Sequence, residues 1–244
     1  MAQKIITFAN HKGGVSKTTS CMAMKGKKVL LIDLDGQANL TLYFIPNENE
    51  IETSIFDSLV NGVPLPVKHI RENLDLVPSS LEMASAEIAL TNLLARERLL
   101  SNLLEPFRKD YDYILIDCPP SLGIVTTNAF IAADEIIVPM TPELLPLKGM
   151  RMLDAFVTTL QRVKPSLRLG GVFIARFNHR KLNKVVEQAV KERYESITMN
   201  TRIRENIALA ESAGSGKSIF EYDSNSNGAK DYLALTEEIL SRNQ

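Results

Sequence analysis

Short apolar runs and longer mixed stretches alternate along this chain. Six runs carry a strand signal: Lys4–Ala9, Lys28–Leu34, Leu74–Pro78, Tyr113–Asp117, Glu135–Met140 and Gly171–Ala175. Each is nearly continuous in apolar and β-branched residues rather than alternating, the pattern of strands covered by helices on both faces. Helical stretches lie between and after them: Ser54–Leu59, Leu81–Glu105, Leu122–Ala132, Leu147–Val163, Lys181–Tyr194 and Gly228–Arg242. Strand and helix signals in alternation predict an α/β fold, a doubly wound, mostly parallel sheet with helices on both faces. No internal repeat or low-complexity linker interrupts the pattern. The most polar segment, "EYDSNSNGAKDY", is short enough to be a loop leading into the last helix. A single domain over residues 1–244 is expected.

Composition narrows the class. The 244 residues are 45% hydrophobic and 23% charged, which suits one large core. A net charge of −1 does not mark a bulk polyanion binder. No stretch approaches the roughly 20 apolar residues of a membrane span. Gln3, Asn10 and Lys12 interrupt the N-terminal apolar run too soon for a secretory leader. Cys21 and Cys118 read as reduced thiols of a cytoplasmic protein, and with His11, His69 and His179 scattered along the chain they form no metal-binding spacing.

In a sheet of this kind ligands bind beyond the carboxyl ends of the strands. Four polar clusters fall there: the loop after Ala9, Asp33–Gln37, Asp117–Ser121 and Thr141–Glu143. The first, "ITFANHKGGVSKTTS", approximates the phosphate loop G-x-x-x-x-G-K-[ST]. Aligned on Lys17 and Thr18, it has His11 and Ser16 at the glycine positions, glycines at Gly13 and Gly14, and an additional lysine, Lys12. A strand, a glycine turn and a helix start bring backbone N–H groups to one point suited to phosphate. Lys17 can reach the β- and γ-phosphates, and the Thr18 hydroxyl can ligate Mg²⁺. In "LLIDLDGQANLT", Asp33 and Asp35 are two apart, suiting one to a metal and the other to an attacking water, although Asp-Gly by itself is an ordinary solvated turn. "YDYILIDCPPS" is a Walker-B pattern, a buried strand delivering Asp117 near Mg²⁺. The run "AGSGKSI" imitates a phosphate loop but has Glu211 where the first glycine belongs, and no strand signal precedes it.

Together "KGGVSKTT", "VLLIDLDGQANLT", "YILIDCPPS", "VPMTPELLPLKGM" and "GAKDYLAL" resemble the ParA-type plasmid and chromosome partitioning ATPases, the deviant Walker-A group that includes MinD. The resemblance runs in order from Ile5 to about Leu240. It implies a slow, partner-stimulated ATPase that binds ATP or ADP with Mg²⁺, closes into an ATP-dependent homodimer, binds DNA nonspecifically on the nucleoid and works with a ParB-like centromere-binding protein rather than a membrane. Lys12 is then the residue that crosses to the partner's nucleotide, much as an arginine finger does. Lys12, Lys17 and Asp35 take catalytic roles, with Asp35 placing the water. Gly13, Gly14, Val15, Ser16, Lys17, Thr18, Thr19 and Asn178 contact the nucleotide, while Thr18, Asp33 and Asp117 form the metal shell. Arg180 matches the family's DNA-contacting arginine. Lys181, Lys184, Arg202 and Arg204 join it by charge alone, in a window (151–217) with 13 basic and 6 acidic residues, net +7. Two departures stand out. Ala208 occupies the place of a second family arginine, and the stretch Thr18–Lys25 is several residues shorter than the family's first helix. A MinD-like division-site ATPase would need a basic amphipathic C-terminal helix, whereas "DYLALTEEILSRNQ" carries three acids against one arginine. A nucleotide-gated DNA-binding scaffold with negligible hydrolysis is the further alternative.

Overall fold

The computed structural model describes residues 3–9, 27–142, 146–215, 217 and 219–242. Within them eight strands form one sheet: β1 (Lys4–Phe8), β2 (Val29–Asp33), β3 (Lys68–Arg71), β4 (Leu74–Val77), β5 (Tyr113–Asp117), β6 (Glu135–Met140), β7 (Leu169–Phe177) and β8 (Thr198–Arg204). Their order across the sheet is β3-β4-β2-β5-β1-β6-β7-β8. Every neighbouring pair is parallel except β3 with β4. The expected doubly wound sheet is therefore present.

The continuous apolar runs follow from burial on two sides. In β2, Leu30 and Ile32 enter the core on one face, and Val29 and Leu31 enter the core on the other. β5 divides in the same way, with Ile114 and Ile116 on one face and Tyr113 and Leu115 on the opposite one. Each such aliphatic side chain, fully buried, contributes roughly 1.5–3 kcal/mol. The first core is covered by α2 (Ile55–Asn61), α4 (Leu99–Leu104), α5 (Ile124–Ala132), α6 (Pro146–Leu160) and α7 (Lys181–Tyr194). The second is covered in part by α1 (Asn39–Phe44), through Leu40 and Tyr43, by α8 (Ile207–Gly214) and α9 (Ile219–Tyr222), through Leu209 and Phe220, and by α10 (Asn227–Arg242), through Tyr232, Leu235 and Ile239.

One expectation is corrected, and two strands were not expected. Leu81–Glu105 is not one helix but a chain of short turns, 3₁₀ over Leu81–Ser85, α3 over Ala86–Ala89, 3₁₀ over Leu90–Asn92 and Arg96–Arg98, then α4. Its backbone is drawn into tertiary bonds: Asn128 Oδ1 accepts from Leu100 N at 3.1 Å, and Asn128 Nδ2 donates to Arg96 O at 2.6 Å. Leu81, Ile88 and Leu94 are 75%, 81% and 93% exposed, so the apolar pattern there does not mark one buried face. Strands β3 and β8 carry no continuous apolar run, because each is an edge strand: no residue of "KHIR" is buried, and in "TMNTRIR" only Met199 and Ile203 are.

The outer edge of β8 is closed by α10. Glu238 accepts the N–H groups of Asn200 and Thr201 at 2.8 and 2.9 Å. Asp231 accepts Arg204 N at 2.9 Å, and the Arg242 guanidinium donates to Thr198 O at 2.9 Å. Positions 231, 238 and 242 recur at helical spacing, so one face of α10 reaches both ends and the middle of β8.

The chain leaves β1 toward β2 on one side and leaves β5 toward β6 on the other. This reversal opens a crevice at the carboxyl ends of β1, β2, β5 and β6, where ligands of such sheets bind.

Candidate active site

Two carboxylates meet at that crevice. Asp33 ends β2, Asp117 ends β5, and the two are partners in the parallel register, with Phe8 of β1 opposite Asp117 on the other side. Both are buried, Asp33 completely and Asp117 to 3% exposure. Asp33 is held on both oxygens: Oδ2 accepts Thr41 N at 2.9 Å and Thr41 Oγ1 at 2.8 Å, and Oδ1 accepts Asp35 N at 3.1 Å. Burial, then the charge of Asp117, push the Asp33 carboxyl up to about 7, against the pull of those hydrogen bonds. Asp33 is thus the hub that folds the next loop.

That loop carries Asp35, which is partly exposed. Asp35 Oδ1 accepts Gln37 N at 3.0 Å, a local turn of the kind Asp favours, and Asp35 O accepts Ala38 N at 2.8 Å and Ser79 Oγ at 2.8 Å. Ala38, at the start of α1, takes a left-handed φ of 50° to make the bend. Ser79, just past β4, also donates its N–H to Thr41 Oγ1 at 2.8 Å. Gly36 packs against the Ala84 backbone so tightly that a Cβ would come within 2.8 Å of Ala84 N.

Past Asp117 the chain runs through buried Cys118, Pro119 and Pro120 to α5. Leu34 N donates to Asp117 O at 3.0 Å, and Thr126 Oγ1 donates to Ser121 O at 2.6 Å. The N-cap of α5 is Gly123, which has no side chain; the cap comes from Glu87, whose Oε2 accepts Ile124 N at 2.8 Å.

Of the residues expected to act, Asp33, Asp35 and Asp117 stand together at these strand ends. Lys12, Gly13, Gly14, Val15, Ser16, Lys17, Thr18 and Thr19, and the stretch Thr18–Lys25, lie outside the described residues. β1, which leads into them, ends at the crevice, where Ala9 N donates to Ile137 O at 3.0 Å. Asn178 follows β7 on the same sheet edge; its amide donates to Glu205 at 3.2 Å and its oxygen accepts Arg180 N at 3.2 Å. Arg180, Lys181 and Lys184 are exposed at the start of α7. Arg202 is differently placed, its guanidinium 2.5 Å from Glu187 and over the Phe177 ring, and Arg204 makes a two-pronged pair with Asp231 at 2.7–3.2 Å. Thr41, Ser79 and Glu87 belong to the site and were not expected. Ser79 alone had a signal, as a polar residue directly past a strand end.

The description of an AAA domain family fits residues 3–169. The chain is 37% identical over 250 residues to the sporulation initiation inhibitor protein Soj of Bacillus subtilis strain 168, covering 98% of each chain. A plasmid partition protein from Borrelia burgdorferi bound to AMPPNP superimposes with a TM-score of 0.83 at 28% identity, covering 98% of this chain and 97% of that one. Cobyrinic acid a,c-diamide synthase from Mycobacterium smegmatis, with bound ATP analog and magnesium, gives a TM-score of 0.84 at 28% identity over 98% and 94%.

Proposed function

The chain belongs to the ParA/Soj family of chromosome-partitioning ATPases, and from that premise we propose that it is a single-domain, ATP-dependent dimerising ATPase that binds DNA nonspecifically and drives plasmid or chromosome partition with a ParB-like partner. The observation that carries the reading is the register pairing of Asp33 with Asp117 at the carboxyl ends of adjacent parallel strands, with Asp35 on the loop that Asp33 folds.

The donor set fits the cofactor. Burial first, and then the neighbouring Asp117 charge, raise the Asp33 carboxyl, and a hard divalent cation relieves the repulsion between the two acids. Mg²⁺ is commonly held by one or two carboxylates, phosphates and waters rather than by a protein cage. Asp117, with Thr18, is assigned to hold it, and it would supply charge neutralisation at the transferring phosphoryl group. Asp33 contributes chiefly by shaping the loop, since its oxygens already accept from Thr41 and Asp35. Asp35 has one oxygen in its own turn and a partly exposed side chain, which suits a residue that places the attacking water. The loop around Gly13, Gly14 and Lys17 is assigned to the phosphates and Asn178 to the rest of the nucleotide.

Lys12 is assigned to the partner's nucleotide. An amine lent across an interface makes assembly depend on the triphosphate being present. Arg180, Lys181 and Lys184 form the exposed part of the DNA face, while Arg202 and Arg204 flank it with their charge balanced by Glu187 and Asp231. Among the described residues no helix is long and apolar enough to cross a membrane, and the apolar side of α10 lies against the sheet.

Sedimentation with ATP, with ADP and without nucleotide, each with and without DNA, tests the reading. A dimer with ATP alone, binding DNA only in that form, is expected, and Lys12→Gln binds nucleotide yet stays monomeric. A wild-type protein that remains a monomer when saturated with a non-hydrolysable ATP analogue refutes it.

A further inference from the structure

The acids of the site ride on two separate loops, and the sheet fixes only where each loop begins. The Asp35 loop leaves β2, and Pro119–Ser121 leaves β5. One segment, Ser79–Ala89, touches both. At its first end Ser79 Oγ holds Asp35 O at 2.8 Å, and Ala84 packs on Gly36. At its second end Glu87 Oε2 accepts Ile124 N at 2.8 Å, with its carboxylate in the space that a Cβ on Gly123 would fill.

Glu87 is more than a local cap. An ordinary N-cap acceptor comes from the residue that starts the helix, whereas this one comes from 37 residues away in the chain. Its other oxygen, Oε1, is buried and has no hydrogen-bond partner among the described residues. Glu87 also lines a cavity of about 160 Å³ whose walls include Asp35, Gly36, Gln37, Pro119 and Ser121. Oε1 is buried too fully to touch water there, so Glu87 meets the cavity through its other atoms.

We propose that Glu87 is a positioning residue for the ATP hydrolysis assigned above: it ties the loop that carries Asp35 to the loop that follows Asp117, through its own bond to Ile124 and through the short segment it shares with Ser79 and Ala84, which hold the Asp35 loop. The inference rests on the ATPase reading for its chemical consequence. A drift of about 1 Å between a catalytic group and its target costs up to about 100-fold in rate, so the tie acts on turnover more than on nucleotide affinity.

The test uses full-length Glu87→Ala and Glu87→Gln. In steady-state phosphate release with DNA present, the alanine variant is expected to lose roughly 10- to 100-fold in kcat with KM for ATP within about twofold. The glutamine variant recovers most of it, since an amide oxygen still accepts Ile124 N–H. Hydrogen exchange without nucleotide provides the independent readout: Glu87→Ala speeds exchange in peptides covering both 34–37 and 119–124, and Glu87→Gln does not. An unchanged kcat overturns the proposal. So does a fall in activity that merely tracks the folded fraction, or exchange that rises only in 119–124. If the wild-type protein hydrolyses no ATP, the functional reading fails by itself, and the exchange experiment still decides whether Glu87 couples the two loops.

Discussion

Asp33→Asn is expected to make the nucleotide-free protein more stable at pH 8, and the size of the gain follows from the site. Burial and Asp117 raise the Asp33 carboxyl from 3.8 to about 7, a displacement worth roughly 4 kcal/mol between the protonated and charged forms. The folded state therefore holds this proton more tightly than the unfolded chain does. The associated stability is fully present below the unfolded value near 3.8, declines as pH rises through the window, and is gone above about 7. The amide carries no charge to desolvate. Its oxygen can replace one carboxylate oxygen, but its NH₂ then faces a backbone donor, either Asp35 N or Thr41 N, a mismatch costing about 1–3 kcal/mol. The net expectation at pH 8 is a gain of about 1–3 kcal/mol, shrinking to zero or a small loss at pH 5, where wild-type Asp33 is itself protonated. Urea unfolding of both proteins from pH 5 to pH 8, without nucleotide and with a metal chelator, measures the difference directly. A stability difference that is constant across that range would mean that Asp33 does not titrate there, and the reasoning from paired buried carboxylates would fall.

Other outcomes follow from the same structure. Asp35→Ala should keep ATP and DNA binding, persist as a dimer and lose roughly 10²–10⁴-fold in phosphate release; normal turnover would remove Asp35 from its role. Arg180→Glu should abolish nonspecific DNA binding in a fluorescence anisotropy titration while leaving ATP-dependent dimers intact. Arg204→Ala should behave differently, because Asp231 loses its two-pronged partner: a stability loss of about 1.5–3 kcal/mol by thermal or urea unfolding, with a smaller change in DNA affinity than Arg180→Glu. Glu238→Ala should cost about 1–3 kcal/mol by leaving the Asn200 and Thr201 N–H groups without their acceptor, with more aggregation seen by light scattering.

The central strands were legible because burial on both faces demands an unbroken apolar run. Tyr113–Asp117 and Glu135–Met140 are read with the same ends as β5 and β6. β3 and β8 were not, since an edge strand needs only half its residues apolar. Leu81–Glu105 misled for the opposite reason: it has no glycine or proline to stop a helix, and what breaks it is hydrogen bonding by Asn128 and packing on the Asp35 loop. That Asp33, Asp35 and Asp117 come together at the strand ends was legible because each sits at or just past the end of an apolar run. Thr41, Ser79 and Glu87 act through partners on other elements; Ser79 and Thr41 are 38 residues apart in the chain, and no local pattern reports such a bond. The phosphate-loop residues Lys12–Thr19 remain assigned from sequence.

The sealed margin of β8 bears on how copies of this protein can assemble. With the Asn200, Thr201 and Arg204 amides and the Thr198 carbonyl already taken by Glu238, Asp231 and Arg242, that border offers a poor template for a neighbouring strand. The opposite border, β3, is only four residues long and carries Lys68 and Arg71. Growth into an endless ribbon through strand pairing is therefore disfavoured at both sides.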